Sequence, residues 1–326
     1  MTLLRLAIKR ASGVSTSETS LTTEYNVAAI IVTYNPDPLV LSEVLKATWP
    51  QVHAIVIVDN GSAINVSGWA ASLEKVNIHV ISLQENRGIA AAQNVGVHWA
   101  VQHGGNFVLL MDQDSIPEET MVNKLLVTYH CLKSNQNKKI SAIGPRFKDS
   151  KSGHLSKHVC FKGFGTGRVE CTPGDHAVPA DFLIASGSLI ETSIFASVGY
   201  MEEGLFIDHV DTEWILRAKS KGFHAWGHCD AVMTHSLGEN RVRLWIGRWR
   251  DIPIHKPFRY YYVFRNSLLI RRRDYPCVEW KRIDMIRLGQ LFLFMALFHP
   301  NRIQVLRMMF RGVLHGLKGI DGKMAA

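Results

Sequence analysis

An open α/β sheet, doubly wound, mostly parallel and flanked by helices, is the architecture this sequence predicts. Three observations carry that expectation. Short apolar runs rich in β-branched residues alternate with stretches of helical spacing through the first part of the chain. The runs are too short for ordinary helices, and turn residues bound them. Each run also ends in a polar cluster: Thr33/Asn35, Asp59/Asn60 and Asp112/Asp114. In a parallel sheet those clusters meet along one edge, and open α/β sheets bind ligands at that edge.

The elements follow in order. Residues 27–33 are apolar and break at Asn35-Pro36-Asp37-Pro38, after which Leu39, Leu41, Val44 and Leu45 recur at helical spacing. Residues 54–58 form a second strand, closed by the turn signal Asp59-Asn60-Gly61-Ser62. Residues 78–82 read as a third strand, 88–102 as an alanine-rich helix and 107–111 as a fourth strand. Ser115-Ile116-Pro117-Glu118 reads as the opening of another helix. Farther on, Leu216 and the stretch to Gly222 look like a helix ended by a glycine, with Glu213 and Arg217 on it, and 231–233 like a strand.

With 326 residues, 47% of them apolar and 20% charged, the chain has the composition of one large globular domain or two smaller ones. Its five cysteines are scattered and form no CxxC pair. Neither a disulfide framework nor a zinc site is expected, and a reducing cytosol is the simplest compartment. No signal peptide is evident, and 12–23 reads as a polar tail. The longest apolar run, 291–298, is far short of the roughly 20 residues of a spanning helix, so no membrane crossing is expected. Charge is uneven: 241–326 hold 18 Lys and Arg against 5 Asp and Glu, a net of +13, while 1–240 carry −4. The division that follows is a tail over 1–24, an α/β domain over 25–240 and a basic helical extension over 241–326. Such an extension points to an anionic partner, membrane lipid or nucleic acid.

Six segments in register give the chain a resemblance to the family 2 glycosyltransferases of the GT-A fold. They are Ile-Val-Thr-Tyr-Asn (31–35), Val-Asp-Asn-Gly-Ser (58–62), Asn-Arg-Gly-Ile-Ala-Ala-Ala-Gln-Asn-Val-Gly (86–96) and Met-Asp-Gln-Asp-Ser (111–115). Ala-Ser-Gly-Ser-Leu-Ile (185–190) and Phe-Ile-Asp-His-Val-Asp-Thr-Glu-Trp-Ile-Leu-Arg (206–217) complete the set. Two further features resemble bacterial rhamnosyltransferases of surface-polysaccharide (O-antigen) assembly: the 206–214 segment and Tyr-Tyr-Val-Phe-Arg-Asn (261–266). The resemblance implies transfer of a sugar, best L-rhamnose from dTDP-L-rhamnose, to a lipid-linked glycan. A UDP- or GDP-sugar donor is the alternative.

The resemblance also implies roles. Asp112 and Asp114 match the DxD motif: Asp112 would lie on the nucleotide side and, with Asp114, hold Mg²⁺ or Mn²⁺ against the leaving pyrophosphate. Thr33, Asn35, Asp59 and Asn60 match positions that contact base and sugar, while Arg87, Gly88 and Asn94 match the helix start that closes over the nucleotide. His235 matches a metal or pyrophosphate ligand, and Ser186-Gly187-Ser188, with Asp181 upstream, the acceptor-facing loop. Asp211 matches the general base, with Asp208 and Glu213 as competitors in a segment crowded with acids. One base and an in-line attack would invert the anomeric centre. Plainer readings exist for several: a solvated loop or helix cap for Asp112/Asp114, helix packing for Asn94, a hydrogen-bonded core residue for His235. For Glu213 the plainer reading, an i,i+4 pair with Arg217, is preferred.

In the extension, Arg241 to Arg250 alternates arginine with Trp245, Trp249 and aliphatic residues, and an aromatic, apolar stretch over 260–270 meets Arg271-Arg272-Arg273. From Ile303, Leu306, Phe310, Val313 and Leu317 keep helical spacing, with Arg307, Arg311, His315 and Lys318 on another face. A basic amphipathic helix suits docking at the inner face of the cytoplasmic membrane. The alternative is packing on the catalytic domain or on a second copy in a homo-oligomer. Nucleic acid is not the expected partner, since no RNP1 segment or zinc finger is present and the acids at 208–213 would oppose phosphate. A dinucleotide oxidoreductase is excluded too, because GxGxxG is missing after the first strand.

Overall fold

The computed structural model describes residues 25–325 apart from 74, 76, 137, 151–152, 173, 236–239 and 246–248; at 135–136, 235, 240–245 and 249–253 it describes backbone alone. Four strands, β1 (Val27–Thr33), β2 (Ala54–Asp59), β3 (Ile78–Ser82) and β4 (Phe107–Asp112), pair in parallel in the order β3-β2-β1-β4. Strands β1 and β2 are buried along their whole length. That is why they read as unbroken apolar runs instead of alternating ones. Alternate residues serve opposite faces. Ile30, Val32, Val56 and Leu110 enter one core, and Ile31, Ile55, Ile57 and Leu109 the other. Helix α1 (Pro38–Thr48) begins at an Asp37 cap that accepts from Leu39 N–H, with Pro38 in its first turn, and covers the second face. The short α2 (Val66–Ala71), which the apolar spacing does not announce, is capped by Asn65. On the first face lies α3 (Ile89–Gln102), where Gly96 packs so close to Ile30 that an added Cβ would stand 2.2 Å from its side chain.

Beyond β4 the sheet becomes mixed. Its further strands are β5 (Ile116–Pro117), β6 (Ile140–Asp149), β9 (Ala177–Ala180), β10 (Leu189–Glu191) and β11 (His224–His235), while β7 (His158–Lys162) and β8 (Gly165–Val169) form a separate hairpin. The full order is β3-β2-β1-β4-β10-β6-β11-β5, with β9 also on β11. The helix expected to open at Ser115 is instead β5, where Pro117 pairs with Met233, and α4 (Met121–Gln136) starts later. Proline suits an outer strand, which asks no ladder hydrogen bond of its nitrogen. Cys171 and Cys229 form a disulfide with Cα atoms 5.6 Å apart, which overturns the expectation of no disulfide and removes its support for a reducing compartment. Spacing along the chain cannot reveal such a pair. The fold creates it by bonding Cys229 N–H to the His176 carbonyl.

After α5 (Ile194–Val198) and α6 (Val210–Ser220), the backbone forms the hairpin β12 (Asn240–Trp245) and β13 (Trp249–Ile254), then three helices: α7 (Pro257–Arg271), α8 (Val278–Phe298) and α9 (Arg302–Lys318). These share a core of Tyr260, Phe264, Leu288, Met295, Val305 and Met309. Helix α9 presses on α7 through Gly312 and Gly316, where a Cβ would stand 2.4 Å from the Tyr261 carbonyl oxygen and 2.9 Å from that of Arg265. The buried seam of α9 is therefore 305/309/312/316, and Ile303, Phe310, Leu314 and Leu317 face outward. No helix among the described residues is long and apolar enough to cross a membrane.

Candidate active site

The end of β4 divides the sheet edge. On its β1/β2 side, the predicted nucleotide residues are brought together by register: Thr33 lies opposite Asp59, and Val32 opposite Asp112. Their side chains interlock. Buried Asp59 accepts from Thr33 Oγ1 (3.5 Å), Ser62 N–H (3.2 Å) and the Ser62 hydroxyl. Buried Asn60 accepts from Arg87 N–H at 2.9 Å and donates to Asn86 at 3.2 Å, which pins the start of α3 beside β2. Asn35, at φ +48°, accepts from Ala63 N–H at 2.8 Å, and Tyr34 N–H donates to Gln113 Oε1 at 2.8 Å. Exposed at this edge are Tyr34, Asn35 and Arg87. Asn94 is turned inward: its amide donates to the Met201 carbonyl and Glu203 (both 2.9 Å) and accepts from Met201 N–H (2.8 Å).

On the other side of β4 opens a cleft of about 580 Å³. Asp112, Ser186, Asp208, Asp211 and Arg259 are among its walls. Ser186 supports Asp112 by accepting its backbone N–H at 3.0 Å. Asp211 stands in the first turn of α6 and accepts from Thr212 N–H at 2.7 Å. Burial pushes its carboxyl up to about 6; the Thr212 and Ala185 backbone hydrogen bonds pull the other way, and the Asp208 charge adds to the rise. A carboxylate so tuned can accept a proton near neutral pH. His209 is held down to about 4, chiefly by burial and then by Arg287, so it is neutral beside the acids.

The competitors have other duties. Glu213 is buried and holds Arg217 in a two-point ion pair (2.7 and 2.9 Å), while accepting from Tyr275. Asp208 binds Arg259 (3.2 and 2.5 Å). Asp181 is engaged by Lys219 and Phe161 N–H. For a metal, Asp112 and Asp114 offer hard oxygen donors on one short loop. A Mg²⁺-type ion asks for no more when substrate phosphates complete its shell. Among the described residues no cluster of three His, Cys, Asp or Glu could hold an ion alone. The His235 side chain lies outside the described residues; its backbone pairs with Asp149 at the end of β11.

Sequence reasoning missed what the extension contributes. Phe206, Asp208 and His209 have φ values of +63°, +65° and +63°, a conformation that costs non-glycine residues on the order of 1 kcal/mol each. Helix α7 holds them there. Asn266 donates to the carbonyls of Leu205, Ile207 and Asp208, and Arg265 to those of Gly204 and Leu205. The two segments 206–214 and 261–266 are thus halves of one contact. Arg259, Val263, Trp280, Ile283, Asp284 and Arg287 of the extension also line the cleft. The available signal was the i,i+4,i+7 spacing of Arg259, Val263 and Asn266, which puts them on one helix face.

Comparison with known proteins identifies the family and the fold. Residues 28–154 match the model of glycosyl transferase family 2. The chain is 33% identical to the dTDP-rhamnosyl transferase RfbF of Shigella flexneri over 91% of its own length and 97% of that protein's. It is 22% identical to the low-salt glycan biosynthesis hexosyltransferase Agl10 of Haloferax volcanii over 91% and 93%. Among solved structures, its fold is similar to S. aureus TarS 1-349 in complex with UDP-GlcNAc (TM-score 0.55, 14% identity, 90% of this chain and 81% of that one). GalNAc-T7 with UDP, GalNAc and Mn²⁺ aligns at TM-score 0.54 and 12% identity, over 85% of this chain and 58% of that one.

Proposed function

The chain belongs to glycosyl transferase family 2 and is a glycosyltransferase of GT-A fold; we propose that it transfers L-rhamnose from dTDP-L-rhamnose, with inversion, to a hydroxyl of a lipid-linked oligosaccharide in surface-polysaccharide assembly. The observation that carries this reading is that Asp112, at the end of the donor edge, and Asp211, with its raised carboxyl, wall the same cleft. The donor follows from the name and coverage of the Shigella relative.

In this mechanism the nucleotide lies along the ends of β1 and β2, against the surface built on Thr33, Asn35, Asp59 and Asn60, with Arg87, Gly88 and the start of α3 closing over it. Asn94 positions that helix start from inside. Asp112 and Asp114, with His235 as a third ligand, would hold Mg²⁺ or Mn²⁺, whose Lewis acidity offsets charge on the departing diphosphate. The acceptor enters from the opposite side of β4. Asp211 takes the proton of its hydroxyl as the oxygen attacks the anomeric carbon, and the bond from that carbon to the diphosphate oxygen breaks. Attack from the face opposite the leaving group gives the inverted anomer. The outward apolar stripe of α9, beside the basic residues of the extension, supports docking at the inner face of the cytoplasmic membrane, where a lipid-linked acceptor is anchored.

The test is incubation of the purified protein with dTDP-, UDP- and GDP-sugars, Mn²⁺ and lipid-linked glycan extracts. Release of dTDP from dTDP-L-rhamnose and an inverted linkage by NMR are expected. Turnover confined to another nucleotide sugar would overturn the donor, and retention would overturn the role of Asp211.

A further inference from the structure

The extension places a positive charge in a cleft walled by acids. Arg259 stands in the first turn of α7, with Nε and Nη2 on the two oxygens of Asp208 and Nη1 at 3.2 Å from His255 Nδ1. Its wall of the cleft is shared with Asp112. The Asp112 charge adds to that of Asp208 in holding the Arg259 proton, although burial works against it. About a third of the Arg259 side chain is exposed, and the residue borders the open cleft.

A pair of this kind is poised for exchange. A carboxylate and a guanidinium in a fork-to-fork pair give specificity, but a phosphate offers the same fork more charge. A nucleoside diphosphate bound across Asp112 would bring its terminal phosphate to this cation. Resting on the reading of the site as a nucleotide-sugar site, we propose that Arg259 is the protein's own ligand for the β-phosphate of the donor and of the departing diphosphate, held in position by Asp208 until that phosphate arrives. The residue then acts on the leaving group, whereas Asp211 acts on the acceptor. Its seat on α7 explains why the extension is built into the cleft: Asn266 of the same helix face fixes the loop that carries Asp208.

The experiment is calorimetric titration with dTDP and dTMP, and with UDP and UMP, in the presence of Mn²⁺. Wild-type protein is expected to prefer the diphosphate of its nucleotide over the monophosphate. Arg259→Gln should lose about tenfold or more of the diphosphate affinity, with the monophosphate affinity unchanged, and Arg259→Lys, which keeps the charge but not the fork, should fall between the two. Asp208→Asn supplies the opposite sign: with the competing carboxylate neutral, diphosphate affinity should rise several-fold. An unchanged diphosphate-to-monophosphate ratio in Arg259→Gln, or weaker diphosphate binding in Asp208→Asn, would overturn the inference while the transferase reading stands. Wild-type protein that binds neither diphosphate would overturn both.

Discussion

The side-chain amide of Asn266 lies 2.9 Å from the carbonyl oxygen of Asp208, joining a helix of the extension to the acidic loop of the cleft. The same amide lies within reach of the Leu205 and Ile207 carbonyls and shares its two N–H groups among the three, with Arg265 also donating to Leu205, in a loop that contains three non-glycine residues at positive φ. The loop in turn touches the donor side, because Ile89 N–H donates to the Phe206 carbonyl at 2.7 Å. A buried asparagine, with Arg265 beside it, thus links the start of α3 to the acidic loop of the cleft.

Asn266→Ala should therefore unfold more easily than the loss of two N–H donors alone suggests, since the Ile207 and Asp208 carbonyls lose this partner while Leu205 keeps Arg265. A loss of roughly 2–4 kcal/mol is expected from urea denaturation. A change below about 0.5 kcal/mol would mean that the left-handed loop is self-supporting.

Asp211 gives opposite pH signs for stability and rate. Its carboxyl stands at about 6 in the fold against an ordinary 3.8, so between those values the folded chain holds the proton more tightly than the unfolded one. This contribution to stability is fully present below about pH 4 and lost as pH rises through about 6. Asp211→Asn should therefore be more stable than wild type at pH 7.5, on the order of 2 kcal/mol, with the difference shrinking toward pH 4. Transfer needs the ionised form, so wild-type kcat/KM should climb through about pH 6, and the variant should lose about 10²–10⁴-fold. A flat pH–rate profile in that range would remove Asp211 as the base.

Glu213 separates structure from chemistry. Its carboxylate is buried against Arg217 and Tyr275. Glu213→Gln leaves Arg217 with a neutral partner and should cost about 3–5 kcal/mol. The folded fraction should keep the wild-type pH–rate profile, read at a temperature where both proteins are native. A displaced profile would return Glu213 to the list of bases.

The polar sheet edge was legible because parallel strands bring successive turns to one line: Thr33 falls opposite Asp59, and Asp112 opposite the neighbouring Val32. Asp211 is legible in its motif and the Glu213–Arg217 pair in i,i+4 spacing, whereas the Asp208–Arg259 pair comes from a contact that spacing does not encode. Asn94 matched a nucleotide position, yet its amide is occupied by Met201 and Glu203, a pairing across more than a hundred residues. Arg259 and Asn266 were hidden for the same reason. Helical periodicity places them on one face and is silent about what that face meets. In α9 the visible stripe mixes two environments: Leu306 and Val313 pack against the helical core, Phe310 and Leu317 are exposed, and half of the buried seam is glycine, which leaves no hydrophobic signal.

Gly88 tests the junction of the two halves. Its φ is +91°, and an added Cβ would stand 2.5 Å from the Phe206 carbonyl oxygen. Gly88→Ala should pay both the left-handed strain and a backbone displacement, roughly 2–4 kcal/mol together. Gly104, also at positive φ but with open space around it, is the control, and its alanine variant should lose only about 1 kcal/mol. Equal losses at the two sites in thermal melts would show that close approach to Phe206 contributes nothing.

The outward face of α9 yields the last prediction. Ile303, Phe310, Leu314 and Leu317 are each more than half exposed, and Arg302, Arg307 and Lys318 lie among them on the surface. Phe310 meets Phe292 edge-on, so the stripe continues toward Leu293 and Leu297 of α8, which are also exposed. An apolar band with basic flanks gains from both halves of an anionic bilayer surface: about 1.5–3 kcal/mol for each large side chain buried, and about 1 kcal/mol for each nearby cation. Leu314→Glu combined with Phe310→Glu should abolish co-sedimentation with vesicles containing phosphatidylglycerol and leave the melting temperature within the range of ordinary surface substitutions. The inward seam at Val305, Met309, Gly312 and Gly316 is untouched by these changes. Retained vesicle binding would therefore exclude this face as the docking surface, and a lowered melting temperature would mean that the stripe is covered by protein in solution.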